Sequence, residues 1–171
     1  IDLKASPKAD RIVAWLTSQS DNFAPIMAEI SNQQAITGID LHITSSVLDF
    51  TDLMAGEPAI SQKIFDQLSM QGAHIGAGGY DEARLLYVAP PGKSDQGPEM
   101  AGRTVHLGCD LFVQPGTAIF APVEGKVHSF SHNQAPFDYG PVIILEHQTY
   151  LGDSFYTIFG HLSLDSIANL K

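Results

Sequence analysis

Val142-Ile143-Ile144-Leu145-Glu146-His147 and Phe155-Tyr156-Thr157-Ile158-Phe159-Gly160-His161 are short runs rich in β-branched and aromatic residues, separated by turn residues, and they read as neighbouring strands. Residues 104–113, 117–122 and 125–130 carry the same pattern, so the chain beyond residue 102 is expected to form an antiparallel β domain. Upstream the period changes. Ser6-Pro7 offers a cap and first turn, and Ile12, Trp15 and Leu16, then Ile26, Met27 and Ile30, follow at helical spacing. Two helices broken near Asp21-Asn22 are expected there. Residues 39–44 alternate as a half-buried strand does, and Pro58 opens a helix carrying Ile60, Ile64, Phe65 and Leu68. Gly72, Gly76, Gly78 and Gly79 form a loose run before a strand at residues 84–88; the run itself lacks Gly-Lys-Ser/Thr and leads into no helix, so it does not fit a phosphate-binding loop.

Residues 90–102 hold three prolines and three glycines and mark a boundary between a segment 1–100 and a β domain 101–171. The expected fold class is α+β. At 171 residues the chain has room for one domain or two small ones, and no apolar run approaches the ~20 residues of a membrane span. Nineteen acidic against nine basic residues give a formal charge of −10, which disfavours nucleic acid and anionic lipid as partners. A single Cys109 excludes an internal disulfide and a Cys-rich zinc site, so any metal would be held by histidine and carboxylate. The chain opens without Met and stops within an apolar-patterned turn. It is expected to be an internal piece of something longer.

The densest chemical signal is His106-Leu107-Gly108-Cys109-Asp110. On a straight strand the two end residues share a face but stand about 13 Å apart, too far for ~2 Å bonds to one ion. A bend at Gly108 would close that gap. The other reading is a strand with a half-exposed histidine and an aspartate capping the next turn. Cys109 is expected in the core. Asp81-Glu82 beside Arg84 reads as a solvated or ion-paired loop.

His106-Leu107-Gly108-Cys109-Asp110-Leu111, Pro115-Gly116-Thr117 and Ala121-Pro122-Val123-Glu124-Gly125-Lys126-Val127, followed by residues 139–147 and 156–163, resemble successive blocks of the lysostaphin-type (LytM-like) zinc metallopeptidases. The likeness covers residues 103–171. It implies the compact antiparallel fold of that family, of the duplicated-hybrid-motif type and here incomplete. It also implies one zinc ion that activates water against a peptide or peptidoglycan cross-link. By motif position His106 and Asp110 resemble two zinc ligands and His161 a catalytic histidine, with His147 and Tyr139 beside the groove; for His147 a structural hydrogen-bonding role is the weightier alternative. The family's His-x-His, which supplies the third ligand and a second catalytic histidine, has no counterpart between His161 and Lys171. Weak zinc binding and no peptidase activity are therefore expected of these residues alone, together with self-association through an open sheet edge.

Gly78-Gly79-Tyr80-Asp81-Glu82-Ala83-Arg84-Leu85-Leu86-Tyr87, ahead of His-x-Gly-x-Asp, further resembles the peptidase-like insert of bacterial fusion proteins, between a kinase-like and a class III aminotransferase domain. That likeness implies a cytoplasmic setting with neighbouring domains as partners; without it, the cell envelope or secretion is expected. Two functions follow as alternatives: a zinc endopeptidase domain, or a peptidase-like module that binds without cleaving.

Overall fold

The computed structural model describes residues 6–28, 36–84, 104–135 and 138–170, and the chain has an α+β fold. It divides into two compact units, Glu29–Thr117 and the combination of Ile1–Ala28 with Ala118–Lys171. The boundary stretch 90–102 lies outside the described residues, and this division falls elsewhere.

In the unit Glu29–Thr117, strand β1 (Ile36–Ile39) runs parallel to β2 (Ile75–Gly78). Two helices lie between them in sequence, α2 (Phe50–Ala55) and α3 (Glu57–Met70). The N-terminus of α2 is closed by a capping box, in which Asp52 N–H donates to Asp49 Oδ1 and Asp49 N–H to Asp52 Oδ2, both at 2.9 Å. Bonding to the backbone N–H of Asp52 holds the Asp49 carboxyl below its ordinary value. Helix α3 starts as its sequence predicts, with Pro58 in the first turn, and sends Ile64 and Leu68 into a core with Ile39 and Leu41. Ile60 and Phe65 pack on the same cluster, which completes the i, i+4 stripe.

The strand expected at residues 39–44 ends at Ile39. Asp40 Oδ1 accepts the His42 N–H at 2.9 Å, a local turn that takes the backbone out of the sheet. The glycine run, conversely, is itself strand β2. A Cβ on Gly76 would fall 2.8 Å from Ile39 Cγ1 and 3.0 Å from Leu68 Cδ2, so glycine lets β2 lie directly against the core. The next strand begins earlier than expected, at β3 (Glu82–Ala83), which pairs antiparallel with β4 (Val105–His106); residues 85–88 lie outside the described ones. Residues 104–113 form two strands rather than one, with β5 (Leu111–Phe112) pairing antiparallel with β2.

The other unit is built on a meander of β6 (Lys126–Asn133), β7 (Gly140–Gln148) and β8 (Ser154–Phe159), antiparallel as the sequence predicts and with β7 central. A bulge between Val127 and Ser129 shifts the β6 register. Residues 117–122 form no strand. They are fixed instead by two backbone bonds, Phe120 N–H to Ile26 O at 2.8 Å and Ala24 N–H to Pro122 O at 2.9 Å.

Helix α1 (Pro7–Gln19), capped by Ser6 as expected, gives way to a 3₁₀ turn at Ser20–Asn22; the second helix expected near Ile30 lies largely outside the described residues. Trp15 of α1 packs on Phe155 with ring centroids 5.7 Å apart, and Arg11 makes a bidentate pair with Asp153 at 2.7 and 2.8 Å. Those bonds hold the Asp153 carboxyl below its ordinary value, so the pair survives moderate acid and is lost only as pH falls through that lowered value. A short α4 (Leu164–Ala168) follows β8. Among the described residues no helix is long and apolar enough to cross a membrane.

Candidate metal centre

The chain leaves β4 at His106 and enters β5 at Leu111, so residues 107–110 are a turn between strands of two different sheets. Gly108 leaves room for the His106 ring over this turn, since a Cβ there would lie 3.0 Å from His106 Nε2 and 3.1 Å from its Cε1. The bend brings His106 Nε2 within 3.6 Å of Asp110 Oδ1. That distance is too long for a hydrogen bond, and it approaches the edge of a zinc tetrahedron with ~2 Å bonds, about 3.3 Å. Both side chains are mostly buried, at 20% and 29% exposure. Cys109 is exposed rather than in the core, because the turn replaces the expected strand and carries its side chain outward.

Asp110 has a stronger partner. Arg84 Nη1 donates to Asp110 Oδ2 at 2.5 Å, and Arg84 Nε donates to Glu82 Oε2 at 2.6 Å. The Arg84 side chain is 2% exposed and that of Glu82 7%, so of the two readings, solvated or ion-paired, the segment is ion-paired, and its network is buried. Burial opposes the guanidinium charge, but hydrogen bonds and Coulombic attraction from Asp110 and Glu82 together outweigh it and raise the Arg84 pKa. Glu82 Oε1 accepts the buried Leu41 N–H at 2.8 Å, which ties the network to the core. Gly78 in β2 leaves room for it, since a Cβ there would sit 3.1 Å from Arg84 Nη2.

Zinc can be tested against these donors. His106 and Asp110 fit two corners of its tetrahedron, but catalytic sites use three protein ligands. Among the described residues no group of three or more His, Cys, Asp and Glu side chains is arranged to hold a metal ion. Asp110 is moreover already neutralised by a guanidinium. The set present does not close around zinc by itself.

The remaining candidates, His161, Tyr139 and His147, belong to the other unit. His161 follows β8, is exposed, and adopts φ +55°, a left-handed backbone unusual for a side chain larger than glycine. Its N–H donates to Tyr139 O at 2.7 Å, and its ring lies 6.4 Å from that of Tyr139, which is half exposed. His147 is 1% exposed on β7. Its Nδ1 lies 2.8 Å from Glu124 O, which can only accept, so Nδ1 donates, and Nε2 bonds Thr157 Oγ1 at 2.8 Å. The ring stacks on Phe155 at 4.9 Å, the role of a packed, fully bonded core histidine.

Sequence reasoning paired His106 with Asp110 and set Glu82 beside Arg84, but missed that Arg84 joins Glu82 to Asp110. A signal existed in the β2 glycines, whose spacing leaves room for bulky side chains against the strand. Comparisons with protein-family models, curated proteins and solved structures give no match.

Proposed function

We propose that this chain carries part of a lysostaphin-type zinc endopeptidase module, with His106 and Asp110 as two of the metal ligands. The observation that supports this reading is the 3.6 Å approach of His106 Nε2 to Asp110 Oδ1 across a turn in which Gly108 leaves room for the His106 ring. Zinc, when bound, would polarise a peptide carbonyl and activate water. The chain's own contribution is to fix the two donors through the Gly108 turn and to keep them in a partly buried, poorly hydrated setting. The catalytic role of His161 rests on its sequence block, and peptide or peptidoglycan cross-links are the substrates that the resemblance suggests.

A second reading, a peptidase-like module that binds peptide or a neighbouring domain without cleaving, is favoured by the Arg84 guanidinium on Asp110. Zinc calorimetry of this chain, together with mass spectrometry of cell-wall-type peptides incubated with it, tests both. We expect weak zinc binding that His106→Ala and Asp110→Asn each abolish, and no hydrolysis. Zinc binding unchanged in both variants would remove these residues from the site; peptide binding without cleavage in a longer chain carrying a His-x-His would favour the second reading.

A further inference from the structure

Strand β8 is an edge of the β6–β7–β8 sheet, and among the described residues no strand pairs with its other side. The bond that closes its hairpin with β7, Thr149 N–H to Asp153 O at 3.0 Å, sets which backbone groups face that side. Antiparallel ladders alternate hydrogen-bonded and non-hydrogen-bonded pairs, so Phe155, Thr157 and Phe159 bond β7, while Ser154, Tyr156 and Ile158 turn their N–H and C=O groups away from it. The side chains of Tyr156 and Ile158 share one face and are 52% and 56% exposed.

Native sheets protect such an edge with charge, proline or a bulge. The opposite edge, β6, has two of these, Lys126 at its start and the bulge between Val127 and Ser129. Strand β8 has none. Ser154-Phe155-Tyr156-Thr157-Ile158-Phe159 holds no charged residue, proline or glycine, and its register with β7 runs unbroken. An uncharged segment of this composition pairs readily with another extended strand. Its acidic neighbour Asp153 is already paired with Arg11, so two copies can meet here without opposing bare like charges, although the whole chain carries −10.

The strand is also complementary to itself. Antiparallel pairing about a two-fold axis keeps side chains on their own face only where the axis passes a residue, and Thr157 is the residue that matches best. An axis there sets Phe155 opposite Phe159, Tyr156 opposite Ile158 and Thr157 opposite its own copy. Aromatic pairs, aromatic with β-branched pairs and Thr–Thr pairs are the kinds that stabilise a sheet. The Tyr156–Ile158 pairs, moreover, use the backbone groups that point away from β7. An axis at Tyr156 instead opposes Phe155 to Thr157 and Ile158 to Ser154, a poorer match.

We propose that two copies of this chain associate edge to edge through β8, about a two-fold axis at Thr157, and so join their three-stranded sheets into one. This gives the self-association expected from the sequence an edge and a register. One strand from each copy buries less than the ~1,200 Å² of a standard interface, so the dimer is transient and depends on concentration.

Sedimentation equilibrium of the 171-residue chain over a concentration series tests the edge. The wild type should show a reversible monomer–dimer equilibrium. Tyr156→Lys combined with Ile158→Lys sets like charges opposite each other and should weaken it at least about tenfold, whereas Val127→Lys on β6 should leave it unchanged. A strictly monomeric wild type, or a dimer indifferent to the two lysines, overturns the proposal. Assembly beyond the dimer would mean head-to-tail pairing of β8 with β6 and would overturn the two-fold axis.

If circular dichroism shows the lysine variant unfolded, disulfide trapping in a Cys109→Ser background decides. Hydrogen-bonded pairs hold their Cα atoms about 5.5 Å apart, within disulfide reach. Tyr156→Cys mixed with Ile158→Cys should therefore give a covalent dimer under mild oxidation, and neither variant alone should. Linkage of Tyr156→Cys to itself would move the axis to Tyr156 and overturn this register; no linkage in any combination overturns the edge.

Discussion

Arg84→Ala is expected to destabilise the Glu29–Thr117 unit by about 3–5 kcal/mol, because removing one partner of a buried ion pair leaves the others charged and uncompensated. Glu82 and Asp110 are both mostly buried around a guanidinium that is itself 2% exposed, so water cannot readily take its place. The damage would spread through Glu82, whose other oxygen holds the Leu41 N–H beside the core. The double change Glu82→Gln with Arg84→Gln removes opposite charges together and keeps an acceptor for Leu41. It should cost much less. Urea unfolding followed by circular dichroism measures both, and a loss below about 1 kcal/mol for Arg84→Ala would show that these charges are solvated as a surface pair is.

His147→Ala should destabilise the other unit by a similar amount, about 3–5 kcal/mol, through the cavity it leaves and the two groups it orphans. The ring occupies the space above Gly125, where a Cβ would come within 2.7 Å of it, and it bonds Glu124 O and Thr157 Oγ1. Those partners sit on the segment before β6 and on β8, so one side chain links the two flanks of the meander across β7. Trp15 is the only tryptophan and lies on Phe155, against which His147 stacks, so its fluorescence reports unfolding of this unit. Zinc binding should be the same before and after the substitution. A variant of wild-type stability with altered zinc binding would turn His147 from a packing residue into a ligand.

What the sequence revealed divides along physical lines. Helix α3 was legible because its one buried side imposes a 3.6 period on its residues, and the β6–β7–β8 meander because its runs of β-branched and aromatic residues are bounded by turn residues. Strand β1 was displaced because the alternation at residues 39–44 looks the same whether or not Asp40 turns back on its own backbone. Strand β2 was hidden by composition: glycine has poor strand propensity, and Gly76 and Gly78 are chosen here for what packs against them. At the candidate centre, His106 and Asp110 are four residues apart and one bend joins them. Arg84 is 26 residues from Asp110, and nothing local in Asp81-Glu82-Ala83-Arg84 distinguishes a solvated loop from a buried network. That distinction is made only by the pairing of β3 with β4.

The claim on which the rest depends is that His106 is a metal-ligating side chain, and the histidine ring ¹⁵N resonances of the wild-type chain during a zinc titration test it most directly. The account predicts that the His106 Nε2 signal shifts first and saturably while both nitrogens of His147 stay in place. A His106 ring that does not respond while the exposed rings of His128 or His132 do would contradict it.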